Sequence, residues 1–340
     1  LEIPVRPGYE RLMFPALRQR IAILIFAIVG GLLYLQAVPV ARAADGSEGC
    51  TLVFAASSAE AIGTFALFSI PVVILAALVS SLGSPLAGVF TMAVAAIFAA
   101  VGGGSIDQWV RAAPGASAYW GLALDAALWA VGAGAAILAC YWLSGHIRLR
   151  LPARWRADDH WRDEMDHDAV KRHELFWGFD PPSTVGVLAA LSQDPTSARP
   201  SRWEWAAGSG IICLLVGGVL SQLLIQSAEV WQVTWGAGLG FAFAALIAHQ
   251  LVPVRNPIFI LLSPIVAAML LYALFALGGG DRVELLQRYF DNDLPGAALG
   301  LPIFHASAGV AGAAVGVGWS EVLILAHLAE KAANESRSSD

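Results

Sequence analysis

Eight stretches of this chain each run for about the thickness of a bilayer without a lysine or arginine. They cover residues 21–40, 61–82, 86–104, 119–144, 207–226, 233–252, 258–278 and 299–327, and through residue 320 their only charged side chain is Asp125. About 20 apolar residues in a helix cross a hydrocarbon core, and each backbone amide there must find its partner within its own segment. The expectation is an all-α membrane protein of about eight transmembrane helices. Composition agrees: 57% of residues are hydrophobic and 14% charged, against about 45–50% and about 25% in soluble domains. A net charge of -6 gives no reason to expect a nucleic-acid partner, and three cysteines without a CxxC spacing suggest neither a disulfide framework nor a zinc site.

Orientation follows from the cations. With the N-terminus in the cytoplasm, 16 of the 20 Lys and Arg residues fall on the inner side, as the positive-inside tendency requires. Both termini are then cytoplasmic, in what reads as a bacterial inner membrane. Trp109, Trp120, Trp231 and Trp235 fall near the outer interface, and Trp142, Trp203 and Trp205 near the inner one, the depths amphipathic rings favour. The first window has a rival reading. Arg18 and Arg20 precede it and Ala41-Arg42-Ala43 follows it, a pattern like a signal-peptide cleavage site. The apolar stretch is longer than the usual signal core of about 7–15 residues, so a retained helix is expected.

Five landmarks recur in order. Gly30-Gly31 matches Gly217-Gly218, Ser58-Ala59-Glu60 matches Ser227-Ala228-Glu229, and Ser84-Pro85 matches Asn256-Pro257. Gly102-Gly103-Gly104-Ser105 matches Gly278-Gly279-Gly280-Asp281, and Pro114-Gly115-Ala116 matches Pro295-Gly296-Ala297. These predict a parallel 4+4 duplication, since an even number of spans brings both halves in from the same side. The expected organisation is a first four-helix repeat over 1–144, a cytoplasmic charged segment and linker over 145–204, a second repeat over 205–328, and a disordered tail over 329–340.

Asp125 is the sharpest functional candidate, because an acid near a helix centre is costly in lipid and usually faces a bundle interior or a wet cavity. Counted from the Pro-Gly-Ala landmark, His305 falls within one residue of the equivalent position in the second half. The two could meet near the pseudo-axis and pass protons or bind a cation; the plainer reading is a hydrogen bond from each to a neighbouring helix or a water. Glu60 and Glu229 share a Ser-Ala-Glu context at helix entrances, where an acid suits the backbone dipole; a paired cation-attracting vestibule is the alternative. Gly102, Gly103 and Gly104, with Gly278, Gly279 and Gly280, read as helix terminators, or as a flexible gate. Gly312 and Gly316 have the spacing that lets another helix approach closely, or that opens a corridor for a substrate. Pro71, Pro264 and Pro302 fall inside the windows and can kink their helices.

The segment 146–180 opens with basic and apolar residues suited to anionic headgroups, then places His160, Glu164 and His167 on one helical face. A solvated helix or a docking surface for a protein partner is the preferred reading, with metal binding as the sharper alternative. No catalytic motif, phosphate loop or cofactor signature is present. Three functions stay open: transport of a small solute or ion, a non-transporting scaffold that docks a partner through its cytoplasmic segment, and an intramembrane enzyme.

Overall fold

The structure is a computed structural model, and it describes residues 9–44, 49–82, 84–150, 203–254 and 256–338. In chain order the helices are α1 (Tyr9–Leu35), α2 (Ser58–Ser81), α3 (Pro85–Gly102), α4 (Asp107–Ala112) and α5 (Tyr119–Arg150). They continue with α6 (Trp203–Leu224), α7 (Val230–Leu251), α8 (Ile258–Leu277) and α9 (Arg282–Phe290). The last span begins as α10 (Pro302–Phe304), passes through a π-helical turn at His305–Gly309 and continues as α11 (Val310–Ser338). Among the described residues seven helices are long and apolar enough to cross a membrane: α2, α3, α5, α6, α7, α8 and the last span. The chain is an integral membrane protein.

The distribution of side chains matches a lipid solvent. Ile211, Leu215, Val219 and Leu223 form an i, i+4 ridge along α6 that faces outward. The interior is built largely of alanine, glycine and serine: Ala76, Ala95, Ala99, Ala244, Ala245, Ala268 and Ala313 are wholly buried. Lipid tails are as apolar as leucine, so helices gain little by hiding leucine from them and associate through close packing of small residues. Of the seven tryptophans placed at interfaces by sequence, six are exposed, and Trp109 is buried between Phe54 and Tyr119.

Packing is organised around two contacts between the N-terminal and C-terminal helices. Helix α3 lies against the last span, and α5 lies against α8. Within the N-terminal group α1 packs on α3 and α2 on both α3 and α5; within the C-terminal group α6 packs on α7 and α8, and α7 on the last span. Gly312 is where the closest of these contacts occurs, since a Cβ there would lie 1.9 Å from the Gly238 carbonyl oxygen on α7. At Gly316 it would lie 2.1 Å from that of Ala242.

The first window departs from expectation. Its helix stops at Leu35, leaving an apolar stretch of Gln19–Leu35, and the remainder of the window forms a 3-10 turn at Val38–Ala41. Pro39 accounts for the break, because it offers no amide to continue the helix and disfavours helical geometry in the residue before it. Two short helices, α4 and α9, were not expected. Gly104 (φ 86°) and Gly279 (φ 70°) lead into them with backbone in the left-handed region, as the terminator reading of the glycine runs anticipates.

Candidate functional site

Between α1 and α2 the chain folds back on itself instead of crossing water as an open loop. Bridges join Arg42 to Cys50 and Ala43 to Ala55, and Cys50, Thr51 and Leu52 are buried. Cys50 packs on α3 at Gly103, where a Cβ would come within 2.3 Å of the cysteine Cβ. Phe54 covers Gly121 of α5 and meets Trp109 edge-on at 5.4 Å between ring centroids. Non-helical backbone at this depth is tolerated only where protein supplies partners for its amides.

Asp125 is that partner. It sits six residues into α5, fully buried, and its Oδ1 accepts hydrogen bonds from the amides of Leu52 at 2.7 Å and Val53 at 3.1 Å. The indole Nε1 of Trp129, one turn further along α5, is the side-chain donor that faces the carboxyl; neither Oδ2 nor Nε1 forms a well-aligned hydrogen bond. The bonds go to backbone amides of the α1–α2 loop, whereas the plainer sequence reading had a neighbouring helix or a water as the partner. What the acid holds is a loop, not a helix.

Below that loop a cleft of about 650 Å³ runs between α2, α3 and α5. Leu52 closes its loop end, Ile303, Ala306 and Val310 of the last span form its back, and Trp142 and Leu143 line its other end. Ile62, Ile70 and Ile74 on α2 and Val131 on α5 line it and are also exposed to the surroundings, so the cleft opens sideways toward lipid. Its width comes from small residues: Gly132, Ala133, Ala135, Ala136 and Ala139 on α5 face Ala93 and Ala96 on α3. One aromatic wall is continuous, from Tyr34 to Phe65 at 6.0 Å and from Phe65 to Trp129 at 5.1 Å between ring centroids. Among its lining residues the hydroxyls of Tyr34 and Ser69 bond to each other at 3.0 Å.

His305 occupies the π turn, buried on the far side from the cleft. Its ring lies 6.4 Å from that of Tyr272, whose hydroxyl donates to the Gly300 carbonyl at 2.6 Å. The Ala297 carbonyl faces the imidazole, but neither ring nitrogen makes a well-aligned hydrogen bond. No hydrogen bond joins Asp125 to His305; the acid bonds to the Leu52 and Val53 amides, and the histidine ring meets Tyr272. Pi turns insert a residue into a helix and often occur at functional positions. Here Gly309 sets the turn against Pro264 of α8, 2.6 Å from where a Cβ would lie.

The remaining sequence candidates are spread out. Glu60 lies in the first turn of α2, its amide donating to Ser57 Oγ at 3.3 Å; Glu229 caps α7, its amide donating to Ser227 Oγ at 3.3 Å. Both are exposed at helix entrances, and no described hydrogen bond or ion pair joins them. Gly312 and Gly316 hold α11 against α7. The segment containing His160, Glu164 and His167 lies outside the described residues, and among the described residues no group of three or more metal-ligating side chains occurs.

Two arrangements escaped sequence reasoning. Helices α4 and α9 lock together: Asp107 Oδ1 accepts from Tyr289 Oη at 2.6 Å and Arg111 Nε at 2.9 Å, and Arg282 Nη2 donates to the Arg111 carbonyl at 3.0 Å. Partial burial raises the Asp107 pKa, but the hydrogen bonds from Tyr289 and Arg111 outweigh it and hold the carboxyl below its ordinary range. Partial burial, then the bond to Asp107, pushes Tyr289 up to about 12. At the opposite end of α7, His249 Nδ1 lies 2.8 Å from Ser320 Oγ and its Nε2 lies 3.2 Å from the Val254 carbonyl. The carbonyl can only accept, so Nε2 carries the proton and Nδ1 accepts from the serine. Both residues are buried outside the cleft, where the contact ties α7 to α11. Only the spacing of small residues could have hinted at the cleft, and no local signal marks these long-range bonds.

No protein-family model matches this chain, and no curated protein or solved structure shows significant similarity to it. The functional reading therefore rests on geometry.

Proposed function

We propose that this membrane protein takes a hydrophobic molecule from the lipid phase into the cleft between α2, α3 and α5, and that any small solute it transports is of that kind. The observation that carries this is the cleft itself: about 650 Å³ of apolar space, within the range of small-molecule sites, opening to lipid and closed at one end by Leu52. A protein interior is normally packed with few voids larger than water, so a gap of this size in a bilayer is filled by something lipid-soluble. Ion passage by way of Asp125 and His305 has less support, since the acid is engaged by the Leu52 loop and the histidine lies in tight packing behind it.

The 4+4 arrangement belongs to the same proposal. Its support is the five ordered landmarks together with reciprocal packing: the third helix of each proposed repeat lies against the fourth of the other, α3 on the last span and α8 on α5. The two short helices that follow the third spans, α4 and α9, also meet each other, as elements near a two-fold axis would. Cytoplasmic termini follow from the cation count.

Bromohexadecane tests the cleft. In nanodiscs of saturated lipid it should quench the Trp129 contribution to fluorescence, defined by the difference from Trp129→Phe, and the quenching should saturate. Gly132 lines the cleft and a Cβ there would meet nothing within 4 Å, so Gly132→Phe fills the space without disturbing a helix contact. It should abolish the saturable part. Linear quenching, identical in Gly132→Phe, would remove the cleft from consideration.

A further inference from the structure

The polar atoms of the cleft wall restrict what it can recognise. Ser69 Oγ lies 2.7 Å from the Phe65 carbonyl oxygen, one turn back on α2, and 3.0 Å from Tyr34 Oη. A serine hydroxyl has one proton, and a carbonyl can only accept. The serine proton therefore goes to Phe65, and the Tyr34 hydroxyl donates to Ser69 Oγ. Both protons are then in use. What the pair still offers is lone pairs on oxygen, in a cleft whose other polar side-chain groups are the indole N–H of Trp129, which faces Asp125, and that of Trp142 at the far end.

Position matters as much as chemistry. Ser69 is the twelfth residue of a helix of 24, about 16 Å from its start at 1.5 Å per residue, so the pair lies near the middle of a span of bilayer length. A phospholipid carries its polar groups at the interface and would lay plain hydrocarbon beside Tyr34. A lipid-soluble alcohol with its hydroxyl part-way along the molecule would instead donate into the free acceptor. A ketone could bond there only by taking the tyrosine proton from Ser69, which exchanges one hydrogen bond for another and gains little.

We infer that Tyr34, held by Ser69, is a specificity-determining residue of the cleft, and that it selects neutral lipid-soluble molecules bearing a hydroxyl donor at mid-membrane depth. This rests on the cleft reading above and adds the chemical class of its occupant. The rigidity of the aromatic wall supports it: Tyr34 packs on Phe65, which packs on Trp129, so the phenol oxygen is fixed before anything binds, and preorganised contacts favour binding.

The test is competition against bromohexadecane in the same nanodiscs, using hexadecane, a hexadecanol with its hydroxyl at mid-chain, and the matching mid-chain ketone. The alcohol should displace the brominated chain about three- to ten-fold more effectively than the ketone or the alkane, the range set by one net hydrogen bond. Tyr34→Phe keeps the ring and its packing, so the ratio of alcohol to hexadecane displacement should fall toward that of the ketone to hexadecane. Comparing each competitor between the two proteins cancels its partitioning into lipid. Equal displacement by alcohol and ketone, or a preference that survives Tyr34→Phe, overturns the inference while leaving the cleft intact. Failure of all three to displace the brominated chain overturns the cleft reading itself.

Discussion

Asp125 in α5 and Leu52 in the preceding loop are joined by a 2.7 Å hydrogen bond from the leucine amide to the carboxyl, across 73 residues of sequence. The same oxygen receives Val53. The one acid within the first seven apolar windows thus holds a folded-back loop whose Leu52 closes the cleft, and removing it should open that loop before it disturbs any helix.

Cys50 reports the opening. It is buried against Gly103, and the other cysteines, Cys140 and Cys213, are also buried. With those two replaced by alanine, Asp125→Leu strands two amides that had a carboxyl oxygen as acceptor, and leaving a buried donor unsatisfied costs about 1–3 kcal/mol. Labelling of Cys50 by a membrane-impermeant maleimide should accelerate at least ~10-fold, as local opening becomes easier. Asp125→Asn keeps a carbonyl oxygen in place and should change the rate much less. A Leu variant that labels like the parent would show that the acid does not hold the loop.

Glycine substitutions along the last span should divide sharply. Gly312→Ala drives a methyl into the Gly238 carbonyl, and overpacking of this kind costs about 1–3 kcal/mol or more. Gly318→Ala meets nothing within 4 Å and removes a flexible residue from a helix, worth roughly 0.5–1 kcal/mol in the opposite direction. Thermal unfolding in detergent, followed by circular dichroism, should show a lowered Tm for the first and an unchanged or raised Tm for the second. Equal effects would mean that α7 and α11 are not in backbone contact.

The lock between α4 and α9 should respond to pH at both ends. Tyr289 titrates high, at about 12, so its contact stabilises fully below the ordinary tyrosine value of about 10 and is lost as pH rises toward 12. Asp107 titrates low, so its contribution is present above the ordinary carboxylate value of about 4 and fades as pH falls through its lowered one. Near-ultraviolet absorbance of tyrosinate, wild type minus Tyr289→Phe, should show one step near pH 12. A step at the ordinary tyrosine value would mean that the bond to Asp107 does not form.

Reporter fusions check the threading. Fusions placed after residue 175 and at the C-terminus should report the same, cytoplasmic side, and one placed after residue 292 in the α9–α10 connection the opposite side. A split between the first two would break the even number of crossings that both the orientation and the 4+4 arrangement require.

Much of this architecture was legible in the residues, because lipid leaves few options: a charge-free run of bilayer length must be a helix. The break at Leu35 was not anticipated, although Pro39 explains it, whereas α3 and α8 do end at the glycine runs. Asp125 was singled out by its cost in lipid, but its true partners are backbone amides in a loop, and any residue can supply an amide. Register counted along the chain set His305 opposite Asp125, but the acid bonds to the Leu52 loop and the histidine packs on Tyr272, contacts that register does not encode. The cleft was not legible, because it is the absence of atoms where Gly132, Ala133 and Ala136 fail to fill the space facing α3. The helices α4 and α9 are too short and too polar to stand out between long oily neighbours.

The π turn at His305–Gly309 bears on how this protein can vary. Such a turn is one residue added to an ordinary helix, and each residue of an α-helix advances by about 100° around its axis. A homologue lacking that single residue would keep α11 seated on α7 but swing Ile303 and everything before it about a quarter-turn away from the back of the cleft. The shape of the recess would then differ between close relatives through the deletion of one codon, with every spanning helix still in place.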